Sequence, residues 1–145
     1  MTFSLLSILA LRSIIEYHKI NNFDIAPNLM FDYRIEDLIN LEIEINGRRI
    51  FETINNKSEN FINISKPRLE FFDGELWRIV PFNNDVFHTL EGPAQIKPNS
   101  SQEITFRIVN LDNYPLPRGG LFRIVRNISI SGSDISHDLF SEFHL

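Results

Sequence analysis

The sequence contains no cysteine, one tryptophan and six glycines among its 145 residues. Without cysteine the chain has no disulfide framework, no thiolate metal site and no thiol nucleophile. Basic residues are also in the minority, because 14 Lys and Arg stand against 19 Asp and Glu, which leaves a formal net charge of -5. Nucleic acids and anionic membranes usually require a basic face, so the charge predicts neither as a partner.

Long apolar runs are missing as well. The run FSLLSILALRSII, within residues 1–22, is interrupted by Arg12 and is shorter than the roughly 20 apolar residues of a membrane-spanning helix. No basic residue precedes it and no A-x-A cleavage pattern follows it, as a secretion signal would normally require. Three interpretations stay open, namely a structural helix, a degraded or mis-started signal segment, and a helix on a membrane surface. No membrane span is predicted.

The rest of the chain, residues 23–145, is predicted to form one β-rich domain. Hydrophobic residues make up 43% and charged residues 23% of the sequence, which is ordinary for a globular chain of this length. Short alternating segments recur about every ten residues with Asn, Gly or Pro between them, and this spacing is typical of a β-sandwich or barrel.

The segment LEFFDGELWRIVPF, residues 69–82, carries the strongest of these signals. Leu69 and Phe71 alternate with polar residues, and Asp73-Gly74 is predicted to form a two-residue turn because both turn positions tolerate positive φ. Trp77 and Ile79 then share a face. The size of the indole favours burial, so the sequence predicts Trp77 as a core anchor.

Other segments show the same alternation. Leu41, Ile43 and Ile45 alternate with Glu42 and Glu44 up to Asn46-Gly47, which predicts a half-buried strand and a hairpin turn with its return strand at residues 48–54. Further strands are predicted at residues 103–109, around Phe122 and Ile124, and at residues 139–145. The predicted inward-facing core residues are Leu69, Phe71, Trp77, Ile79, Phe106, Phe122 and Ile124.

Five short segments in order carry a family resemblance: IFETINNKSENFIN, LEFFDGELWRIVPF, FHTLEGPAQIKPNSSQEITF, LPRGGLFRIVRNI and SEFHL. From about Ile50 onward the chain resembles the bacterial immunoglobulin-like domains of Gram-positive extracytoplasmic proteins. It departs from that pattern at Gly119-Gly120-Leu121 and at Phe122, where a tyrosine is usual. The resemblance implies an immunoglobulin-like β-sandwich, an extracytoplasmic location and a structural or recognition role without catalysis.

Residues with chemical potential do not form a recognisable catalytic pattern. Residue types that bind Zn²⁺ gather near the end of the chain, namely Asp134, His137, Asp138 and His144. The segment GSDISHD is equally typical of a solvated turn. Ser133 lacks the G-x-S-x-G context of an activated nucleophile. Three strand arginines are interpreted either as phosphate ligands on one polar face or as ordinary solvated charges; they are Arg78, Arg107 and Arg123. The sequence therefore predicts no enzyme, no cofactor and no metal site.

The predicted function is a non-enzymatic module that presents loops or sheet edges to a protein or cell-surface ligand. The predicted loop set is residues 83–85, 110–117 and 132–138. One alternative is an intracellular inhibitor or immunity-type protein, which would share the acidic charge. Another is a small β-sandwich carbohydrate-binding or hydrolytic domain, which a shallow groove with exposed aromatic side chains and converging carboxylates would support.

Overall fold

In the computed structural model of the chain, the described residues are 23–47, 49–80, 87–89, 94–108 and 119–144, with the side chains of 87–89 and 106–108 left aside. The predicted amino-terminal helix, within residues 1–22, and the predicted binding loops 83–85 and 110–117 lie outside this part of the chain. In the described part, no helix is long and apolar enough to cross a membrane.

The described regular structure consists of ten β-strands. In chain order they are β1 (Ile39–Asn46), β2 (Arg49–Asn56), β3 (Ile62–Ile64), β4 (Arg68–Phe72), β5 (Trp77–Ile79), β6 (Phe87–Thr89), β7 (Gln95–Ile96), β8 (Ser100–Ile108), β9 (Leu121–Ile130) and β10 (Ser136–His144).

The strands form two antiparallel sheets that pack face to face as a β-sandwich. The first sheet has four strands in the order β1-β2-β8-β6. The second has six strands, in the order β5-β4-β9-β3-β7, with β10 on the other side of β9. Both β3 and β4 pair with β9, so they act as two halves of one strand. The fold is therefore all-β, as the alternating segments predicted.

The β1–β2 hairpin follows from local sequence. Asn46 pairs with Arg49 across a two-residue turn, and Gly47 at its first position has φ of +62°. This left-handed conformation is favourable for glycine and matches the right-handed twist of the flanking strands. The turn sets a register in which Ile39 of β1 pairs with Asn56 of β2.

The core lies between the two sheets and is filled by aliphatic and phenylalanine side chains. Phe122 is 1% exposed and its ring lies 5.2 Å from the ring of Phe71 and 5.9 Å from that of Phe143. Four of the predicted core residues belong to this cluster, namely Leu69, Phe71, Phe122 and Ile124. The side chain of the fifth, Phe106, lies outside the described part.

Trp77 and Ile79 are corrections to the predicted core. Trp77 pairs with Phe72 and Ile79 with Glu70, and residues paired directly across two strands share a face. Because Leu69 and Phe71 face the core, Glu70 and Phe72 face away from it, and so do Trp77 and Ile79. Both are half-buried on the outer face of the six-stranded sheet.

The β4–β5 turn also differs from the predicted two-residue Asp-Gly turn. Phe72 pairs with Trp77, so four residues, 73–76, connect the strands. The Asp73 carboxylate holds the loop by accepting hydrogen bonds from the Glu75 and Leu76 amides, both at 2.8 Å, and from Arg78 Nε at 2.6 Å. Burial raises the pKa of Asp73, but these hydrogen bonds outweigh it and lower the pKa below its usual value.

We expect Asp73→Ala to lower the free energy of unfolding by about 1.5–3 kcal/mol, because it removes hydrogen bonds to a charged group. Since the folded-state pKa of Asp73 is lowered, its contribution to stability is present above the ordinary aspartate value of 3.8 and is lost as pH falls through the lowered pKa. Urea unfolding at pH 7 and pH 3 measures this, with exposed Glu75→Ala as the control. An equal deficit for Asp73→Ala at both pH values contradicts the prediction.

Residues 23–38, the amino-terminal strap, connect the two sheets through a segment that has no regular strand and ends in turns at residues 33–38. At β5 the Ala26 amide donates to Trp77 O at 2.9 Å and the Ile79 amide to Asp24 O at 2.8 Å. At β10 the Asp138 amide donates to Met30 O at 2.7 Å. Because β4 and β9 lie between β5 and β10, the strap spans the sheet before the chain enters β1.

Candidate binding surface

The outer face of the four-stranded sheet carries a groove of about 320 Å³. Two rows of paired residues cross it, the first being Glu42, Thr53 and Glu103, and the second Glu44, Phe51 and Thr105. Phe51 is 37% exposed, although large aromatic side chains are usually buried. We call this groove, with these six side chains, the acidic face.

The charge of the acidic face is strongly one-sided. Glu42, Glu44 and Glu103 are all exposed. In the next row, at the end of the sheet beside the Asn46–Arg49 turn, Arg49 pairs with Arg107, so two basic residues border the acidic face at that end. The acidic face therefore attracts cationic groups, and this attraction weakens with added salt.

The β1 strand forms one border of the acidic face and has an open edge. The Lys57 amide donates to Leu38 O at 2.8 Å, and hydrogen-bonded and non-hydrogen-bonded pairs alternate along an antiparallel ladder. In this register Asn40, Glu42 and Glu44 bond to β2, whereas Leu41, Ile43 and Ile45 direct their N–H and C=O groups away from it. Within the described part of the chain, no strand pairs with that side.

The side chains of Leu41, Ile43 and Ile45 face the core but are only half-buried. Among the described strands of its own sheet, β1 has a neighbour on one side only, β2, and across the sandwich it lies close to β10 of the six-stranded sheet. The β1 edge thus combines unpaired backbone groups, apolar side chains on its inner side and carboxylates on its outer side.

The outer face of the six-stranded sheet, by contrast, is covered. Glu70 on β4 and Val125 on β9 belong to this face, and they are 0% and 1% exposed. Glu70 accepts hydrogen bonds from Arg68 Nε at 2.7 Å and from Arg123 Nε. The Arg123 guanidinium lies 4.2 Å from the centre of the Trp77 ring, a cation–π contact that closes this cluster.

A second buried ion pair joins the two sheets inside the sandwich. Arg126 donates from Nη2 and Nε to the two carboxylate oxygens of Glu52, at 2.7 and 3.0 Å, and from Nη1 to Ser65 O at 2.8 Å. Burial raises the pKa of Glu52, and the hydrogen bonds from Arg126 partly offset this effect. The sequence signal for this pair is that Glu52 alternates in phase with Ile50 and Ile54 on β2, and Arg126 with Ile124 and Ile128 on β9. The pair was not among the sequence-based predictions.

The four residues considered as metal ligands in the sequence have different surroundings in the structure. His137 is buried, and its Nδ1 accepts a hydrogen bond from the Asp32 amide at 2.9 Å. Asp138 accepts from the Met30 amide and from Asn127 Nδ2. Asp134 is exposed, and His144 contacts Gly119 O. Among the described residues, no three His, Asp or Glu side chains gather at a metal-binding distance.

The hydrogen bonds of His137 and Asp138 with the Asp32 and Met30 amides attach the strap to β10. The side-chain hydrogen bond from Arg34, followed by its backbone hydrogen bond, lowers the pKa of Asp32 to about 2, so this carboxylate stays ionised over the physiological range. The Phe31 ring lies 5.3 Å from the His137 ring. The sequence region 132–138, predicted as a binding loop, therefore ends in residues that hold the strap.

The three strand arginines do not share a face. Arg107 is on β8 of the four-stranded sheet, whereas Arg78 and Arg123 are on β5 and β9 of the six-stranded sheet. Arg78 binds Asp73 and Arg123 binds Glu70. This placement corrects the interpretation of the three as one phosphate-binding set.

Comparisons with known proteins give weak similarities. No protein-family model and no curated protein matches the chain. The archaellum periplasmic stator protein FlaG from Sulfolobus acidocaldarius is 14% identical over 73% of this chain and 100% of its own, with a TM-score of 0.42. The GAE domain of GGA2p from Saccharomyces cerevisiae is 15% identical over 83% of this chain and 97% of its own, with a TM-score of 0.38.

Proposed function

We propose that residues 23–145 form a non-enzymatic, extracytoplasmic recognition module of the immunoglobulin-like type, which binds a protein partner through the acidic face. The observation that carries the proposal is the difference between the two outer sheet faces. The strap spans the six-stranded sheet, where Glu70 and Val125 are buried, whereas the acidic face keeps Phe51 and three carboxylates exposed. An exposed aromatic side chain within a charged groove is typical of a binding surface.

Two further observations support the proposal. The buried ionisable side chains have structural partners, Glu52 with Arg126 and Glu70 with two arginines, so they rigidify the sandwich. The five sequence segments that resemble Gram-positive immunoglobulin-like domains support the extracytoplasmic location. The Arg126–Glu52 ion pair joins β9 to β2, the strand that carries Phe51 and Thr53 of the acidic face.

Site-specific photo-crosslinking tests the proposal. A photoreactive phenylalanine analogue replaces Phe51 in the full chain, and in a matched control it replaces Tyr33, which is 88% exposed on the strap. In cells of the source organism we expect a discrete protein adduct from position 51 and none from position 33, with mass spectrometry identifying the partner.

The absence of an adduct at position 51, or equal adducts at both positions, contradicts binding through the acidic face. A protease or toxin as the crosslinked partner would favour the inhibitor or immunity-type alternative. Cell fractionation of the same samples tests the extracytoplasmic location, which a purely cytosolic pool would contradict.

A carbohydrate ligand is the second candidate, because the groove combines Phe51 with the carboxylates of Glu42, Glu44 and Glu103. Neutral sugars stack on aromatic rings, and their hydroxyl groups donate hydrogen bonds to carboxylates. Titration with neutral oligosaccharides distinguishes this candidate, since saturable binding that Phe51→Ala abolishes would favour it over a protein partner.

A further inference from the structure

From the edge of β1 that pairs with no described strand, we infer the class of partner: an extended segment that adds to the four-stranded sheet beside β1 and alternates basic with apolar side chains. The inference rests on the proposed function and specifies the partner of the same surface. Strand addition is a common mode of peptide recognition, in which backbone hydrogen bonds provide affinity and alternate side chains provide specificity.

The backbone of β1 is prepared for such an addition. Leu41, Ile43 and Ile45 present N–H and C=O groups at two-residue intervals along the open side, which is the spacing of an antiparallel or parallel ladder. The strand is eight residues long and regular throughout. An added segment therefore meets a continuous edge without a bulge or proline to interrupt pairing.

The outer side chains of the added segment would lie beside Glu42 and Glu44. Directly paired residues on one face of a sheet have Cβ atoms about 4.5–5.5 Å apart, which is within reach of an ion pair. Both glutamates are exposed, and neither has an ion-pair partner among the described residues. Lysine or arginine at every second position of the segment would form ion pairs with the carboxylates of Glu42 and Glu44.

The inner side chains of the same segment would lie beside Leu41, Ile43 and Ile45. These three contact the core but stay half-buried. Apolar side chains at the intervening positions of the segment extend the core past its present border and remove this apolar area from water. The alternation of basic and apolar residues thus follows from the two sides of one strand.

A second copy of this chain is disfavoured as the occupant. Antiparallel pairing of two β1 strands about Ile43 would place Glu42 of each copy opposite Glu44 of the other. Like charges directly opposite each other destabilise a strand pair. The glutamates therefore select against self-association and in favour of a cationic strand.

The test uses the full chain, labelled with ¹⁵N, and an eight-residue peptide that alternates valine and lysine. Hydrogen exchange of the Leu41, Ile43 and Ile45 amides is expected to slow about tenfold or more when the peptide saturates the protein, because these amides gain acceptors. The Glu42 and Glu44 amides already bond to β2, so their exchange is expected to change little. A peptide that alternates valine and glutamate serves as the matched control and is expected not to bind.

The variant Glu42→Gln/Glu44→Gln keeps the shape of both side chains and removes their charge. We expect it to bind the valine-lysine peptide about tenfold more weakly, as two cross-strand ion pairs are lost. The control variant Glu75→Gln/Glu142→Gln changes the net charge equally at exposed sites on other parts of the surface. It is expected to keep the affinity of the unmodified protein.

Three results would overturn strand addition at β1: no change in the alternating amides, equal binding of the acidic peptide, or equal losses in the two double variants. If the Phe51 crosslink forms while one of these results is obtained, the acidic face binds its partner without strand pairing. The proposed function then stands and the inferred partner class is wrong. If the crosslink also fails, both are wrong.

Discussion

Replacing Arg126 by methionine is expected to lower the free energy of unfolding by about 3–5 kcal/mol, the usual cost of leaving one member of a buried ion pair without its partner. Arg126 supplies both hydrogen bonds that neutralise the Glu52 carboxylate between the sheets. Methionine fills similar space but provides no charge. Urea unfolding at pH 7, followed by circular dichroism, measures the loss.

The double variant Glu52→Leu/Arg126→Met is the matched control. Apolar pairs of similar volume often replace buried ion pairs at no cost, so we expect the double variant to recover most of the stability that Arg126→Met loses. A double variant as unstable as the single one would show that the arginine matters for its packing or for its bond to Ser65 O, and not for charge compensation.

The pH dependence gives the prediction a second readout. Burial already raises the pKa of Glu52 in the folded protein, and the loss of Arg126 removes the offsetting effect. Because the folded-state pKa of Glu52 is raised, its contribution to stability is fully present below the ordinary glutamate value of 4.5 and is lost as pH rises through the folded-state pKa. Arg126→Met is therefore expected to have a smaller deficit at pH 4 than at pH 7, and the opposite order would contradict this explanation.

Phe122→Ala is expected to lower the free energy of unfolding by about 3–5 kcal/mol, because it opens a cavity in the buried core. The Phe122 ring lies between those of Phe71 and Phe143 and is almost fully buried. Chemical denaturation with a two-state analysis measures the loss, and Phe122→Leu is expected to recover part of it by refilling volume.

Trp77→Ala is the informative comparison, because composition alone singles out the tryptophan. We expect it to cost about 1–2 kcal/mol, since a half-buried indole on the outer face loses mainly its contacts with Phe72 and Arg123. If Trp77→Ala lowers the free energy of unfolding as much as Phe122→Ala, Trp77 is a core residue and the assigned strand faces are wrong.

Local chemistry made several features predictable. The alternation of Leu41, Ile43 and Ile45 with Glu42 and Glu44 predicted the β1 strand and its exposed carboxylates, since side chains on a strand alternate between faces. The glycine after Asn46 predicted the first hairpin, because one of its turn residues adopts positive φ. The all-β class followed from the short, regularly spaced segments.

Nonlocal pairing decided the rest. The alternation of side chains along a strand divides them between two faces, but it does not show which face meets the other sheet. For Trp77 that is decided by its pairing with Phe72 and by its contact with Arg123, both on the outer face. Glu52 and Arg126 are 74 residues apart in sequence and meet only when the sheets pack. The sequence alone predicted most of the long strands and the carboxylates of β1, whereas tertiary structure decided which face is covered by the strap and which edge of β1 has no partner among the described strands, because both depend on contacts between distant segments.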